Sequence, residues 1–398
     1  MSKTRPGGVL PSQEIASLVD DGCISSAGLL PGELKQNIQP ASLDLTLGPK
    51  AYRLQASFLP QWPNKVEDRL ADLLMYEINL TKGAILERGA VYLIPLGEKL
   101  RLPRDIRGRT NPKSSTGRLD VFTRVITDGC TRFEEIEPGY NGGLYLEVVP
   151  RSFTIKVRSG QRLNQLRLFL CPSERDCPHP SNFADSSTLH HYLGGTELRR
   201  VYEKEKLLCD IEGEFIDNTD RHVSGDGLLM SVDLTAPAGN YNPVGYKAKK
   251  NSRVIELDMV GHYDADDFWE PIHPHKLGRL ILEPEEFYIF ASKERIRVPL
   301  NCSAEMVEFD AGSGELRTHY AGFFDPGFGY GGDGKVMGTK AVLEVRPHDV
   351  PFIIEDGQIL FKMKYERMAS APQIWYGSEI GSNYHDQTLR LAKQFRKP

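Results

Sequence analysis

The sequence predicts an all-β fold, built as two tandem barrels with a few short helices. Three observations lead to this prediction. Polar and apolar residues alternate within short runs, for example 42–47, 153–157 and 163–169, which is the period of half-buried strands. The 37 glycines and 26 prolines follow no regular period, and this usage is typical of turn-rich β structure. The third observation is an internal duplication that covers most of the chain.

The duplication consists of sequence blocks that recur in the same order roughly 190 residues further along the chain. The recurring pairs of blocks are 42–46 with 231–235, 85–103 with 281–299, 137–140 with 325–328, and 146–150 with 343–347. We therefore expect two domains, 1–200 and 201–398, that are diverged copies of one unit. The junction is placed near 195–215, where charge is dense and apolar periodicity fades.

Helical patterns are confined to the two ends of the chain. Ile15, Leu18 and Val19 recur at helical spacing, and Ser12 is the predicted N-cap of this first helix, with Glu14 in its first turn. A second short helix is predicted over 388–395.

Composition excludes several classes of protein. The chain has 49 Lys and Arg against 54 Asp and Glu, a net charge of −5, so no basic surplus indicates a nucleic-acid partner. No segment approaches the ~20 apolar residues of a membrane span, and the start lacks the apolar core of a signal peptide. Six cysteines are too few for a disulfide framework in a chain of this length. We expect a cytoplasmic protein with reduced thiols.

One run of residues suits an anionic ligand. Lys113, Ser114, Ser115 and Arg118 lie within a six-residue stretch that also contains Thr116 and Gly117. Hydroxyl and backbone donors contact phosphate oxygens, and the cations offset their charge.

This run, K-S-S-T-G-R-L, is followed by E-P-G-Y-N-G at 137–142 and by Leu146-Glu147. Together the three motifs resemble the signature of the dCTP deaminases of the dUTPase-like superfamily, which reads R-S-S-x-x-R-L, D-P-G-[FW]-x-G and L-E. Residues 10–15 and 39–48 are similar to the N-terminal helix and first barrel strand of that family. The resemblance implies a tandem-duplicated bacterial form whose two barrels have the β-clip, or distorted jelly-roll, fold.

The resemblance also implies roles for individual residues. Glu147 is the implied general base and acid for attack of water on C4 of cytosine, with Ser114 and Arg118 as its partners and with no catalytic metal. Magnesium is implied only through the substrate triphosphate. The implied substrate-binding residues are Lys113, Ser115, Glu137, Tyr145, Gln165, Tyr376, Asn383 and Gln387. Asn383 departs from the family, which has Lys there.

The second copy lacks most of this signature. Asp310 and Glu315 stand where the first copy has its two cations, Ala311 and Gly312 replace its two serines, and Glu344 is kept as the counterpart of Glu147. Because carboxylates repel a triphosphate, we expect the second copy to be catalytically silent. Substitution of Glu147 by Gln should then abolish turnover, and the same change at Glu344 should leave it nearly unchanged.

The predicted reaction is hydrolysis of dCTP to dUTP and ammonia, in the supply of dUMP and dTTP. Two alternatives stay open: a bifunctional enzyme that deaminates dCTP and releases dUMP, and a non-catalytic nucleotide-binding protein. A zinc site at Cys171, Cys177 and His179 is disfavoured, because the P-C-x-x-C signature of zinc deaminases is absent. The resemblance implies a homo-oligomer, with a trimer favoured, and dTTP as a possible inhibitor.

Overall fold

The structure is a computed structural model that describes residues 6–171, 192–235, 242–308, 316–318, 322–377 and 388–396. We call residues 6–171 the first barrel and residues 192–396 the second barrel. The strands of the first barrel are β1 (Gly8–Val9), β2 (Ile24–Ser26), β3 (Ile38–Gln39), β4 (Ser42–Thr46), β5 (Lys50–Leu54), β6 (Leu74–Asn79), β7 (Ala84–Leu86), β8 (Val91–Arg101), β9 (Ile106–Pro112), β10 (Val121–Ile126), β11 (Glu135–Ile136), β12 (Asn141–Pro150), β13 (Ile155–Val157) and β14 (Arg162–Leu170). Its helices are α1 (Ser12–Asp20), α2 (Pro31–Leu34), α3 (Val66–Leu73) and α4 (Ser114–Gly117), with a 3₁₀ turn at Lys35–Asn37.

The second barrel repeats this plan. Its strands are β15 (Leu208–Cys209), β16 (Val223–Ser224), β17 (Gly227–Ser231), β18 (Gly245–Ala248), β19 (Ile255–Glu256), β20 (Trp269–Ile272), β21 (Arg279–Leu282), β22 (Tyr288–Ile296), β23 (Cys302–Glu308), β24 (Leu316–Thr318), β25 (Phe323–Phe324), β26 (Thr339–Pro347), β27 (Phe352–Glu355) and β28 (Ile359–Arg367). Its helices are α5 (Gly195–Glu205) and α6 (Thr219–His222), with a 3₁₀ turn at Ala265–Asp267.

Each barrel is formed by two antiparallel sheets that enclose apolar side chains. In the first barrel the strand orders are β11-β9-β14-β4-β3 and β10-β12-β8-β5-β6. In the second barrel they are β20-β18-β22-β26-β24 and β16-β17-β28-β23-β25. The all-β prediction of two tandem barrels is confirmed.

The duplication also extends to side-chain hydrogen bonds. In the first barrel the backbone N–H and hydroxyl of Thr46 donate to the buried carboxylate of Glu98, and in the second those of Ser231 donate to Glu294. Strand register agrees with this correspondence, because Glu147 on β12 lies opposite Leu93 and Glu344 on β26 lies opposite Ile289. Glu147 and Glu344 are therefore equivalent positions in the two barrels.

The two barrels share an extensive interface. β19 of the second barrel pairs in parallel with β13 of the first. The ring of Phe153 packs edge-on against Trp269, with centroids 5.3 Å apart. Arg167 of the first barrel, fully buried, donates to Glu366 of the second at 2.6 Å. Such buried, complementary contacts hold the barrels in a fixed relative position.

Three local expectations are wrong. Helix α1 buries Ile15, Leu18 and Val19 as predicted, but its N-cap is Pro11 and Ser12 is its first residue. No helix forms over 388–395, where the chain is irregular. Helices are not confined to the two ends of the chain, because α5 forms near residue 200, where Leu198 and Tyr202, one turn apart, are both buried. The domain boundary itself stays a prediction.

The cysteines of the described residues differ in oxidation state. Cys23, Cys130, Cys209 and Cys302 carry free thiols, whereas Cys171 is disulfide-bonded, so the expectation of reduced thiols is wrong at that residue. Cys177 and His179, the other residues of the disfavoured zinc site, lie outside the described residues.

Within the described ranges, no helix is both long and apolar enough to span a bilayer.

Candidate active site

The K-S-S-T-G-R-L run forms a tight helical turn against strand β14. The backbone N–H of Lys113 donates to the carbonyl of Leu163 at 2.9 Å, and the Thr116 hydroxyl donates to the same carbonyl at 2.9 Å. Ser114–Gly117 then make the single turn of α4. These bonds fix the turn at the mouth of the barrel and leave the side chains of Lys113 and Ser115 on the wall of a cavity.

That cavity has a volume of about 640 Å³ and a predominantly cationic wall. Its charged and hydroxyl lining includes Lys113, Ser115, Thr116, Arg158, Arg162 and Lys393, with Asp44 and Asp258 as its carboxylates. Burial lowers the pKa of Lys393, and the nearby charges of Lys113 and Arg162 lower it further. Asp44 pairs with Lys113, and Asp258 lies 3.4 Å from Nε of Arg158. The four cations and two carboxylates leave the wall with a net positive charge, which favours a bound anion.

Arg118 leaves this turn toward the second barrel. It is 4% exposed and donates from Nη1 to the backbone carbonyl of Arg390 at 3.1 Å. The side chain of Glu344 on β26 is 5% exposed, and among the described residues its carboxylate has no hydrogen bond or ion pair. Burial raises the pKa of Glu344 well above its usual range, while the charge of Arg118 acts in the opposite direction.

A second element of the second barrel reaches the same region. Asp325 begins the Asp325-Pro326-Gly327-Phe328 turn, and its carboxylate lies 3.8 Å from Nη2 of Arg167. Burial raises the pKa of Asp325 to about 6, and the charges of Arg167 and Lys113 oppose this rise. The described part of the second barrel therefore brings a carboxylate near the first barrel's Lys113–Arg118 turn.

Glu147 lies elsewhere. Its Oε1 accepts from Nε of Arg124 at 3.0 Å and also from Nη2 of Arg124, whose guanidinium stacks 3.5 Å above the ring of Phe133. The carboxylate is 1% exposed, and Oε2 has no partner among the described residues. The structure does not bring Glu147 into contact with Ser114 or Arg118.

Residues 55–73 cover this part of the first barrel. Val66 and Leu70 of α3 pack into one apolar cluster with Leu93 and Tyr145. The hydroxyl of Tyr145 donates to Glu67 of α3 at 3.3 Å. Glu147 is thus enclosed by a segment of its own barrel.

The remaining predicted residues divide between the two places. Gln165 is buried beside the turn, where its Nε2 lies 3.5 Å from the carbonyl of Pro112. Tyr376 packs on Phe328, with centroids 5.2 Å apart, and its N–H donates to Pro326. Glu137 begins its own turn, near enough to Cys130 for its charge to act on that thiol. Asn383 and Gln387 lie outside the described residues. The catalytic and binding roles of all these residues stay predictions.

Sequence reasoning missed four residues of this region: Arg162, Asp325, Glu344 as a contributor, and Lys393. A signal existed for two of them, because the second copy keeps D-P-G-F and L-E although it has lost the K-S-S run. No sequence signal pointed to Lys393, since its position depends on how the irregular C-terminal segment returns to the first barrel.

Comparisons with known proteins agree with this architecture. The description "2'-deoxycytidine 5'-triphosphate deaminase (DCD) N-terminal domain" matches residues 6–172, and the corresponding C-terminal domain matches residues 198–395. A solved structure, the 2'-deoxycytidine 5'-triphosphate deaminase from Agrobacterium tumefaciens, is 41% identical, covers 92% of this chain and 100% of its own, and superposes with a TM-score of 0.78. The chain belongs to the dCTP deaminase family.

Relatives of about half the length are named for a particular product. The "dCTP deaminase, dUMP-forming" of Corynebacterium kroppenstedtii is 30% identical over 176 residues, which are 44% of this chain and 87% of that protein. The enzyme of the same name from Methanosphaera stadtmanae is 28% identical over 205 residues, 49% of this chain and 94% of its own.

Proposed function

We propose that the protein hydrolyses dCTP to dUMP, ammonia and pyrophosphate, consuming two molecules of water. The observation that carries this proposal is the cavity at the Lys113 turn, whose wall includes Lys113, Arg162 and Lys393. Next to the same turn, the charge of the buried Arg118 acts on the buried carboxylate of Glu344. Family membership supports the deamination step, and the names of the half-length relatives support dUMP as the product.

The cavity can hold the triphosphate. Lys113, Arg162 and Lys393 would offset its charge, and Ser115 would donate a hydrogen bond to a phosphate oxygen. Among the described residues, no cluster of three or more His, Cys, Asp or Glu side chains is arranged to bind a metal. Magnesium would then be held chiefly by phosphate oxygens and water, as it commonly is with nucleotides.

Deamination requires a group that takes a proton from water and returns it to the base. Water adds to C4 of cytosine, N3 gains a proton, and the amine leaves as ammonia. The resemblance implies a glutamate at the L-E position for this task, and the chain has two such residues, Glu147 and Glu344.

Within the same proposal, the assembly is a homotrimer and dTTP is an inhibitor, both on the strength of the family resemblance.

One incubation distinguishes the candidate reactions. The full chain with dCTP and Mg²⁺ should release ammonia and pyrophosphate in equal amounts, with dUMP as the nucleotide product, as measured by ion-exchange chromatography and an ammonia assay. Ammonia with dUTP and no pyrophosphate would reduce the function to deamination alone. Binding of dCTP without any product would show a non-catalytic nucleotide-binding protein.

A further inference from the structure

We propose that the active site is shared between the two barrels of one chain: the first barrel supplies the Lys113–Arg118 turn, and the second supplies Glu344 as the general base and acid. This inference rests on the proposed function and assigns its chemistry to a residue outside the intact signature copy.

Strand geometry directs Glu344 toward the first barrel. Glu344 and Arg346 are two residues apart on β26, so their side chains point to the same face. Nη2 of Arg346 donates to the buried carboxylate of Asp120, and to the Ser152 hydroxyl at 3.3 Å. Since this contact anchors that face of β26 against residue 120, Glu344 faces the segment that carries Arg118.

The C-terminal segment closes the same region. Its residue Arg390 accepts the hydrogen bond from Arg118, and Lys393 lies on the wall of the cationic cavity. The buried apolar side chains of Leu391 and Phe395 pack into the core that the barrels share. Arg118 is thereby held between the second barrel and the C-terminal segment of the chain.

A second part of the signature is contributed in the same way. Asp325 lies close enough to Lys113 for the charge of this lysine to act on its pKa, and it accepts a hydrogen bond from the backbone N–H of Ala41. The charge of Glu137, its first-barrel counterpart, acts instead on Cys130. The carboxylate of Asp325 would accept a hydrogen bond from a hydroxyl of the sugar. The second copy has therefore kept the D-P-G-F and L-E parts of the signature, while only the first copy has kept the K-S-S-T-G-R-L turn.

Glu344 and Arg118 are suited to the deamination step. Glu344 has no ion pair or hydrogen bond among the described residues, so both its oxygens can contact a water molecule and the base. As the water oxygen bonds to C4, one water proton passes through Glu344 to N3. The hydroxyl on C4 then gives its proton through Glu344 to N4, the C4–N4 bond breaks, and ammonia leaves as the C4=O bond forms. No electrons are transferred and no other reactant is consumed. Glu147, which accepts two hydrogen bonds from Arg124, is assigned a structural role.

The test compares the same substitution at two equivalent positions of the full chain. Glu344→Gln should lower kcat for ammonia release from dCTP by about 10²–10⁴, the usual contribution of a general acid–base group, while dCTP binding measured by calorimetry is retained. Glu147→Gln should keep a kcat within the same order of magnitude as the unaltered chain. Loss at Glu147 with activity retained at Glu344, or equal effects at both positions, would overturn the proposal.

The two possible failures are distinguishable. If the unaltered chain releases no ammonia from dCTP, the proposed function fails; if it is active but the two variants do not differ as stated, only the shared site fails. Should Glu344→Gln not fold, as judged by its thermal melting, the pair Asp325→Asn and Glu137→Gln takes its place. A larger rise of KM for dCTP in Asp325→Asn supports the shared site, and a larger rise in Glu137→Gln contradicts it.

Discussion

Replacing Arg118 with methionine is expected to lower kcat for dCTP deamination by about 10²–10³, the usual effect of removing one preorganised charged donor from an active site. Methionine fills a similar volume but carries no charge. Arg118 is nearly fully buried, and its guanidinium favours the ionised form of Glu344. Without the charge of Arg118, the Glu344 carboxylate loses the group that counteracts the effect of burial on its pKa.

The pH profile separates this electrostatic role from a purely structural one. Burial already raises the pKa of Glu344, and Arg118 lowers it, so the Met variant should have a still higher pKa at Glu344. A general base acts only when it is ionised. The acid limb of kcat should therefore move to higher pH in Arg118→Met and return toward its original position in Arg118→Lys. A uniform loss of kcat at every pH, with no movement of the limb, would contradict this role.

Replacing Lys393 with methionine is expected to raise KM for dCTP by about 10- to 100-fold, because a charged hydrogen bond contributes ~1.5–3 kcal/mol and each 1.4 kcal/mol is tenfold. Lys393 shares the cavity wall with Lys113 and Arg162, and their charges lower its pKa. This repulsion is relieved when a triphosphate binds. kcat should change much less than KM, because Lys393 acts on the phosphates and not on the base.

Salt dependence and a matched substitution test the same point. KM of the unaltered chain should rise with ionic strength, and this rise should be smaller in Lys393→Met, since one cation fewer is screened. Lys50→Met is the control, because Lys50 is about half exposed and pairs with Glu77 on the outside of the first barrel. An equal increase of KM in both variants would show that Lys393 does not contact the phosphates.

Local patterns in the sequence predicted much of the fold. Alternating residues predicted the strands, and the repeated blocks predicted two barrels whose equivalent glutamates occupy equivalent registers. Helix α5 was missed because its two buried positions, Leu198 and Tyr202, lie among charged residues, so that burial by tertiary contacts decides its structure. The irregular segment 388–396 was missed for a similar reason, since its apolar residues pack into the shared core without helical hydrogen bonds.

The site was predictable only in part. The Lys113–Arg118 turn was recognised because its residues are adjacent in sequence. The structure places Lys113 and Ser115 on the wall of a cavity, and their binding of phosphate oxygens stays a prediction. The partnership of Glu147 with Ser114 and Arg118 assumed that an intact signature within one copy forms one site. The interface between the barrels decides which of the two glutamates faces the Lys113–Arg118 turn. Residues that form this interface, such as Arg346 and Asp120, lie 226 positions apart in the sequence. No local pattern reports such a contact.

A shared site gives a physical reason why the second copy retains the D-P-G-F and L-E motifs. Loss of the K-S-S run from the second copy costs nothing if the first copy supplies that turn to a common site. Loss of Asp325 or Glu344 would remove groups that the first barrel cannot replace, because Glu147 is enclosed by residues 55–73. The chain would then hold one site of this kind, built from complementary halves.

The position of bound dCTP tests the shared site most directly. A crystal structure of the full-length Glu344→Gln variant with dCTP and Mg²⁺ should place C4 of cytosine next to residue 344 and the triphosphate between Lys113 and Lys393. A nucleotide whose base lies against Glu147, with residue 344 remote from any ligand, would contradict the account.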